Sequence, residues 1–80
     1  MAIDQKYGLV NIPGVPQDEP VFILRGQDSA AVETILHYAE VAYRVGARVE
    51  HIEHILKSVQ AVARWPHKKI PDTIVKKGTP

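Results

Sequence analysis

Two stretches with helical apolar spacing, separated by only two residues, constrain this chain more than any other feature. From Ser29 to about Val45, steps of 100° put Val32, Ile35, Leu36, Ala39, Ala42 and Tyr43 on one face. From about Arg48 to Arg64, a second stripe close to heptad spacing holds Val49, Ile52, Ile55, Leu56, Val59, Val62 and Ala63. Gly46 ends the first helix. Trp65-Pro66 ends the second, because the residue before a proline is steered out of helical backbone. A connection as short as Gly46-Ala47 implies an antiparallel helical hairpin. The first helix carries another apolar stripe, Tyr38, Val41 and Val45 with Ala31, roughly opposite the first. Its partner is the strand region, another subunit, or both.

Upstream, Val21 to Leu24 form an apolar run between Pro20 and Gly26 that reads as a short buried strand. Arg25 leaves that strand, Gly26 permits a sharp or left-handed turn, and Asp28-Ser29 can cap the helix that follows. Polar groups at such a junction are either structural caps or a ligand site. Lys6 to Ile12 reads as a first strand, pairing with Val21–Arg25 as an antiparallel ribbon across the turn-rich Pro13 to Pro20. Met1 to Gln5 have no pattern and are expected to fray. His67 to Pro80 shows no periodicity, with Ile70 and Ile74-Val75 as residues that can dock back. The expected fold is α+β and mostly α, in one domain over 1–80. It comprises a two-stranded ribbon over 6–25, a helical hairpin over 29–64 and a basic C-terminal segment over 66–80.

Eighty residues bury roughly 60–65% of their unfolded surface, so the core is marginal. Without cysteine there is neither a disulfide nor a thiolate metal site, and small chains lacking such staples often gain burial by oligomerising. We therefore expect an oligomer. No apolar run approaches the ~18 residues of a membrane span, and no charged-then-apolar leader opens the chain, so a cytosolic location is expected. Net charge is only +1, but residues 64–77 set Arg64, Lys68, Lys69, Lys76 and Lys77 against Asp72 alone. That cluster is either a solvated tail or a magnet for phosphates.

His51 and His54, spaced i, i+3 beside Glu50 and Glu53, have the ligand types of a zinc site. The helical projection places His54 opposite the apolar stripe and His51 at its edge, as on an ordinary solvated face, so no metal is expected. Around Ser29, Ser58, Thr34 and Thr73 there is no nucleophile-elbow pattern, and Ser29 is better explained as a cap. With no Gly-rich phosphate loop either, we expect no catalysis and no cofactor. Arg64-Trp65-Pro66-His67-Lys68-Lys69 joins a stacking ring to several cations, a combination suited to a base and its phosphates. Tyr7 offers a second ring. Two alternatives stay open: Trp65 closes the hairpin as a core residue, and Arg25 pairs with Asp28 or caps a carbonyl. A DNA-binding regulator would need a recognition helix, yet the second helix exposes Glu50, His51, Glu53, His54 and Lys57, too acidic for a major groove. A protein-binding adaptor would use the exposed apolar stripe.

Glu19 to Asp28 (Glu-Pro-Val-Phe-Ile-Leu-Arg-Gly-Gln-Asp) precedes a hairpin with Tyr38, a Gly46-Ala47 turn, Trp65 at its end and Lys69-Ile70-Pro71-Asp72 beyond. This arrangement resembles a family of small phage proteins, the Thoeris anti-defence and anti-CBASS sponges, which share a helical hairpin domain. The resemblance covers about Glu19 to Asp72. It implies a non-enzymatic protein that binds cyclic nucleotide alarm signals, including glycocyclic ADP-ribose and cyclic di- or trinucleotides, in the cytoplasm of the infected bacterium. It implies homodimers or hexamers with pockets built between subunits. It also implies that Arg25, Gln27, Asp28, Trp65 and Lys69 line a pocket. Tyr7, Arg64, His67 and Lys68 join them on chemistry alone, and Tyr38, Val41 and Val45 are the stripe available for the subunit interface.

Overall fold

The computed structural model describes residues 2–73. The chain divides into two compact units: Leu24–Pro71, and the described part of Met1–Ile23 with Asp72–Pro80. Met1, the Ile74-Val75 pair and the lysines at 76 and 77 lie outside the described residues.

The first unit holds three short strands, β1 (Ala2–Asp4), β2 (Gly8–Val10) and β3 (Pro20–Val21), in the order β2-β1-β3. β1 pairs antiparallel with β2, setting Ile3 opposite Leu9, and parallel with β3, setting Asp4 opposite Val21. The parallel side is extended by the Ile3 N–H, which donates to the Glu19 carbonyl at 3.0 Å. Pro20 sits on the edge strand, where its missing N–H does least damage. The Ile12-Pro13-Gly14-Val15 turn closes with Val15 N–H on the Ile12 carbonyl, and Gly14 takes the positive φ of 80° that a type II turn requires.

This sheet corrects the expected ribbon. The segment thought to fray supplies the central strand, and Lys6–Ile12 and Val21–Arg25 do not pair with each other. The cause is one carboxylate. Asp4, only 3% exposed, accepts the N–H groups of Lys6 at 2.8 Å and Tyr7 at 2.9 Å on one oxygen and that of Ile23 at 3.0 Å on the other. The first two bonds make the tight turn from β1 to β2. The third withdraws the Ile23 N–H from any strand ladder, so β3 stops at Val21 and Phe22 stands 85% exposed. The Tyr7 N–H, opposed by desolvation and helped by the Lys6 and Ile23 N–H groups and the Lys6 charge, holds the Asp4 carboxyl below its ordinary value.

The second unit is the hairpin. α1 spans Ala31–Arg44 and α2 spans Val49–Arg64, close to the expected limits. Asp28 rather than Ser29 prepares the first helix: its Oδ1 accepts the Ala30 N–H at 2.8 Å and its carbonyl accepts the Ala31 N–H at 3.0 Å. The end of α1 is a complete Schellman motif. Gly46, at φ 93°, donates to the Tyr43 carbonyl at 3.1 Å, and Ala47 donates back to the Ala42 carbonyl at 2.9 Å. Ala47 also packs against the core that contains Ala42, the apolar contact this motif favours. α2 stops where Trp65 turns extended before Pro66.

Between the helices the buried seam is thin: Ala39 and Ala42 of α1 against Ile55 of α2, flanked by half-buried Ile35, Ala47 and Ile52. Small residues on α1 let the two backbones approach. Parts of both inward stripes stay outside that seam: Leu36 and Tyr43 of α1 and Val49 and Leu56 of α2 are all exposed.

Candidate functional site

After α2 the chain runs back along the segment that precedes α1. The Lys69 N–H donates to the Gln27 carbonyl at 2.7 Å, and the Ser29 N–H donates to the Lys69 carbonyl at 3.0 Å, forming a parallel bridge between Asp28 and Lys69. Segments far apart in the chain are thereby fixed side by side. The bridge sets Arg25, Gln27 and Asp28 next to the Arg64–Lys69 segment at the open end of the hairpin.

Gly26 lies in the sharp turn expected of it, which the Asp28 N–H closes on the Arg25 carbonyl at 3.0 Å. Its φ is not positive; what matters is the indole beside it. A Cβ built on Gly26 would lie 3.2 Å from Trp65 Cβ and 3.3 Å from its Cγ, so the ring rests on bare backbone. Trp65 is therefore anchored along one side and still 52% exposed, with the His67 ring edge-on at 5.7 Å. Trp65 is thus not the core residue that one reading made it: it leans on the Gly26 backbone and keeps about half of its surface open.

Lys68 has a structural job. Its ammonium donates to the Gly26 carbonyl at 2.7 Å and to the Val62 carbonyl at 2.5 Å. Val62 is in the last turn of α2, where its carbonyl also accepts the Trp65 N–H at 3.2 Å and the helix dipole favours a cation. Lys68 thus clips the Gly26 loop to the end of α2. Arg25 and Arg64 are both exposed, and neither forms an ion pair among the described residues. The Arg25–Asp28 pair is not formed among the described residues; Asp28 Oδ1 accepts the Ala30 N–H. Tyr7 belongs to the sheet unit. Its N–H is bound to Asp4, and the Lys6 ammonium lies 5.3 Å from its ring centre.

The remaining candidate residues lie on the sides of the hairpin. The Tyr38 hydroxyl meets His51 Nε2 at 3.2 Å, Val41 is half-buried, and Val45 is exposed at the end of α1. The His51 and His54 rings stack at 6.4 Å. Among the described residues no three or more His, Cys, Asp or Glu side chains converge. The sheet unit has a cleft of about 240 Å³ bordered by Asp4, Lys6, Phe22 and Asp72. That is below the ~300–1,000 Å³ of ordinary ligand pockets, and its acidic members are engaged: Asp4 with three N–H groups, Asp72 with Lys6 at 3.8 Å.

Sequence reasoning named residues on both segments at the open end of the hairpin but missed the contact that brings those segments together. No local signal pairs Gln27 with Lys69. The nearest hint is that a hairpin with arms of 14 and 16 residues must return the chain to where it began. No protein-family model matches the chain, and neither curated proteins nor solved structures give a match. No helix among the described residues is long and apolar enough to cross a membrane.

Proposed function

We propose that this chain is a phage anti-defence sponge. It binds cyclic nucleotide immune signals, of the glycocyclic ADP-ribose or cyclic di- and trinucleotide kind, in the cytoplasm of the infected bacterium and holds them without degrading them. The observation that supports this reading is the Asp28–Lys69 bridge, which brings the segment carrying Arg25 beside the Arg64–Lys69 segment with its half-exposed indole. A cyclic nucleotide presents purine faces and two or more phosphates. Indole stacking suits the first and guanidinium groups the second. Sequestration asks only for equilibrium binding, so neither nucleophile nor general base has a role. One hairpin end covers a single side of such a ligand, and copies of the chain assembling around it would supply the rest.

Trp65 is the only tryptophan, so its fluorescence reports directly on this site. Calorimetric and fluorescence titrations should be run against glycocyclic ADP-ribose isomers, 3′,3′-cyclic dinucleotides, cyclic trinucleotides and a short DNA duplex, with the ligand recovered afterwards. The expected result is tight binding of a cyclic species, returned intact, with Trp65→Ala weakening it by about 1–3 kcal/mol. Silence across the cyclic panel would reject the reading, and binding of the duplex alone with a steep salt dependence would replace it with a DNA-binding role.

A further inference from the structure

The chain passes between the two units at two places, after Ile23 and after Pro71. One short turn of the sheet unit reaches the sheet-side residue of each passage. Asp4 accepts the Ile23 N–H at 3.0 Å, and Lys6, in the same turn, pairs with Asp72 at 3.8 Å. The turn is itself held in shape, because the other Asp4 oxygen accepts the N–H groups of Lys6 and Tyr7. The cleft of about 240 Å³ marks the same meeting point. Its walls come from the turn, from Phe22 and Ile23 of one passage, and from Asp72 and Thr73 of the other. Inside the hairpin unit these two stretches of chain are tied a second time, by the Asp28–Lys69 bridge. Residues 24–27 span the two ties on one side, and Ile70 and Pro71 span them on the other. The first arm is the longer, and the turn closed by the Asp28 N–H on the Arg25 carbonyl takes up its extra length. The second arm has no such freedom, since Pro71 fixes its own φ and steers Ile70 to extended backbone. Arg25 starts the turn in the longer arm and is exposed there.

We propose that the turn after β1 is a clasp that closes on both passages at once, and that its closure holds the arm carrying Arg25 in place. The clasp needs no ligand, and it would act on Arg25 whatever that guanidinium binds. Its two limbs differ in strength. The Ile23 limb is a hydrogen bond to an ionised carboxylate that is only 3% exposed, the stronger kind of hydrogen bond. The Lys6–Asp72 limb is longer and partly solvated, and pairs of that sort contribute little alone. The limbs are linked because the Lys6 backbone is itself held by Asp4. Loss of the Asp4 carboxylate should therefore release both passages, whereas loss of the Lys6 charge should release only the one at Asp72. The hairpin should keep its own closure in either case, since the Asp28–Lys69 bridge lies wholly within it.

Backbone amide relaxation of the full chain, measured by nuclear magnetic resonance, reads the two limbs separately. In wild type the amides of Ile23, Arg25 and Asp72 should be as ordered as rigid backbone, with order parameters of about 0.85. Lys6→Met keeps the stem and removes the charge. It should lower the order of Asp72 and Thr73 toward the flexible range, below about 0.6, and leave Ile23 and Arg25 as they were. Asp4→Asn should lower Ile23, Arg25 and Asp72 together, and cut the hydrogen-exchange protection of the Ile23 amide about tenfold or more. The order of α1 and α2 should not change in either variant. The Ile3 amide, bonded to the Glu19 carbonyl, reports whether the sheet survives. If Asp4→Asn opens the sheet altogether, the clasp is gone with it and Arg25 must still loosen, while Lys6→Met tests the second limb with every Asp4 bond in place. A flexible Asp72 or Arg25 in wild type, an Asp72 unchanged in Lys6→Met, or an Arg25 that stays rigid in Asp4→Asn would each overturn the proposal.

Discussion

The two units reach order by opposite means. The sheet unit is organised around a charged group, with Asp4 gathering three backbone N–H groups from two directions while its strands run only two or three residues. The hairpin is organised around an absence of bulk, two alanines that let an isoleucine close the gap. A carboxylate imposes directional, all-or-nothing geometry, and a buried polar atom left without partners is costly. An alanine seam is tolerant in direction but demands close packing. The first mode should therefore respond to protons and the second to volume.

Ile55→Ala would show the second response and is the largest effect expected. It removes the only sizeable buried side chain of the seam and should cost about 2–5 kcal/mol. Thermal unfolding followed by far-ultraviolet circular dichroism should show the helices melting earlier. An unchanged midpoint would mean that the hairpin is held from outside the seam. The sheet should respond to acid instead. Asp4 is held below its ordinary value of 3.8, so its contribution is complete above that value and fades as the pH falls below it toward the folded-state value. Hydrogen-exchange protection of the Tyr7 and Ile23 amides should drop in that window while the protection of α2 persists. In Asp4→Asn, whose amide nitrogen cannot accept the Ile23 N–H, the Ile23 protection should be low at every pH. Protection of both units falling together would erase the contrast. Smallest is Lys68→Met, which keeps the stem and removes the clip. A loss of about 1 kcal/mol in hairpin stability is expected, with a red shift of Trp65 emission as the Gly26 loop loosens. Unchanged stability and emission would return Lys68 to the ligand-binding set.

The same contrast explains how far the sequence could be read. The helices, the Gly46 stop and the Trp65-Pro66 stop were legible because each rests on a local signal repeated over many residues or on a backbone restriction of one residue type. Ala2–Asp4 was illegible because three residues cannot display a period, and because nothing in the sequence says that Asp4 will reach Ile23. The Val21–Leu24 run misled for the same reason: its apolar character is real, but the hydrogen bond that ends the strand comes from nineteen residues away. At the candidate site the chemistry of Arg25, Trp65 and Lys69 was visible from residue type. The Gly26–Trp65 contact and the Lys68 clip were not, since both depend on a return path that only the folded hairpin defines.

That return path makes the hairpin a closed circuit. Asp28 and Lys69 are its two terminals, and everything between them must come out to the right length. Adding a turn to one arm alone would slide Trp65 about 5.4 Å from the bare backbone at Gly26 and open the circuit. The arms can lengthen only together, a turn on each, with Gly46 as the fixed point about which they grow. Length variation among any relatives of this chain should therefore come in matched pairs within the helices, or fall outside residues 28–69 altogether.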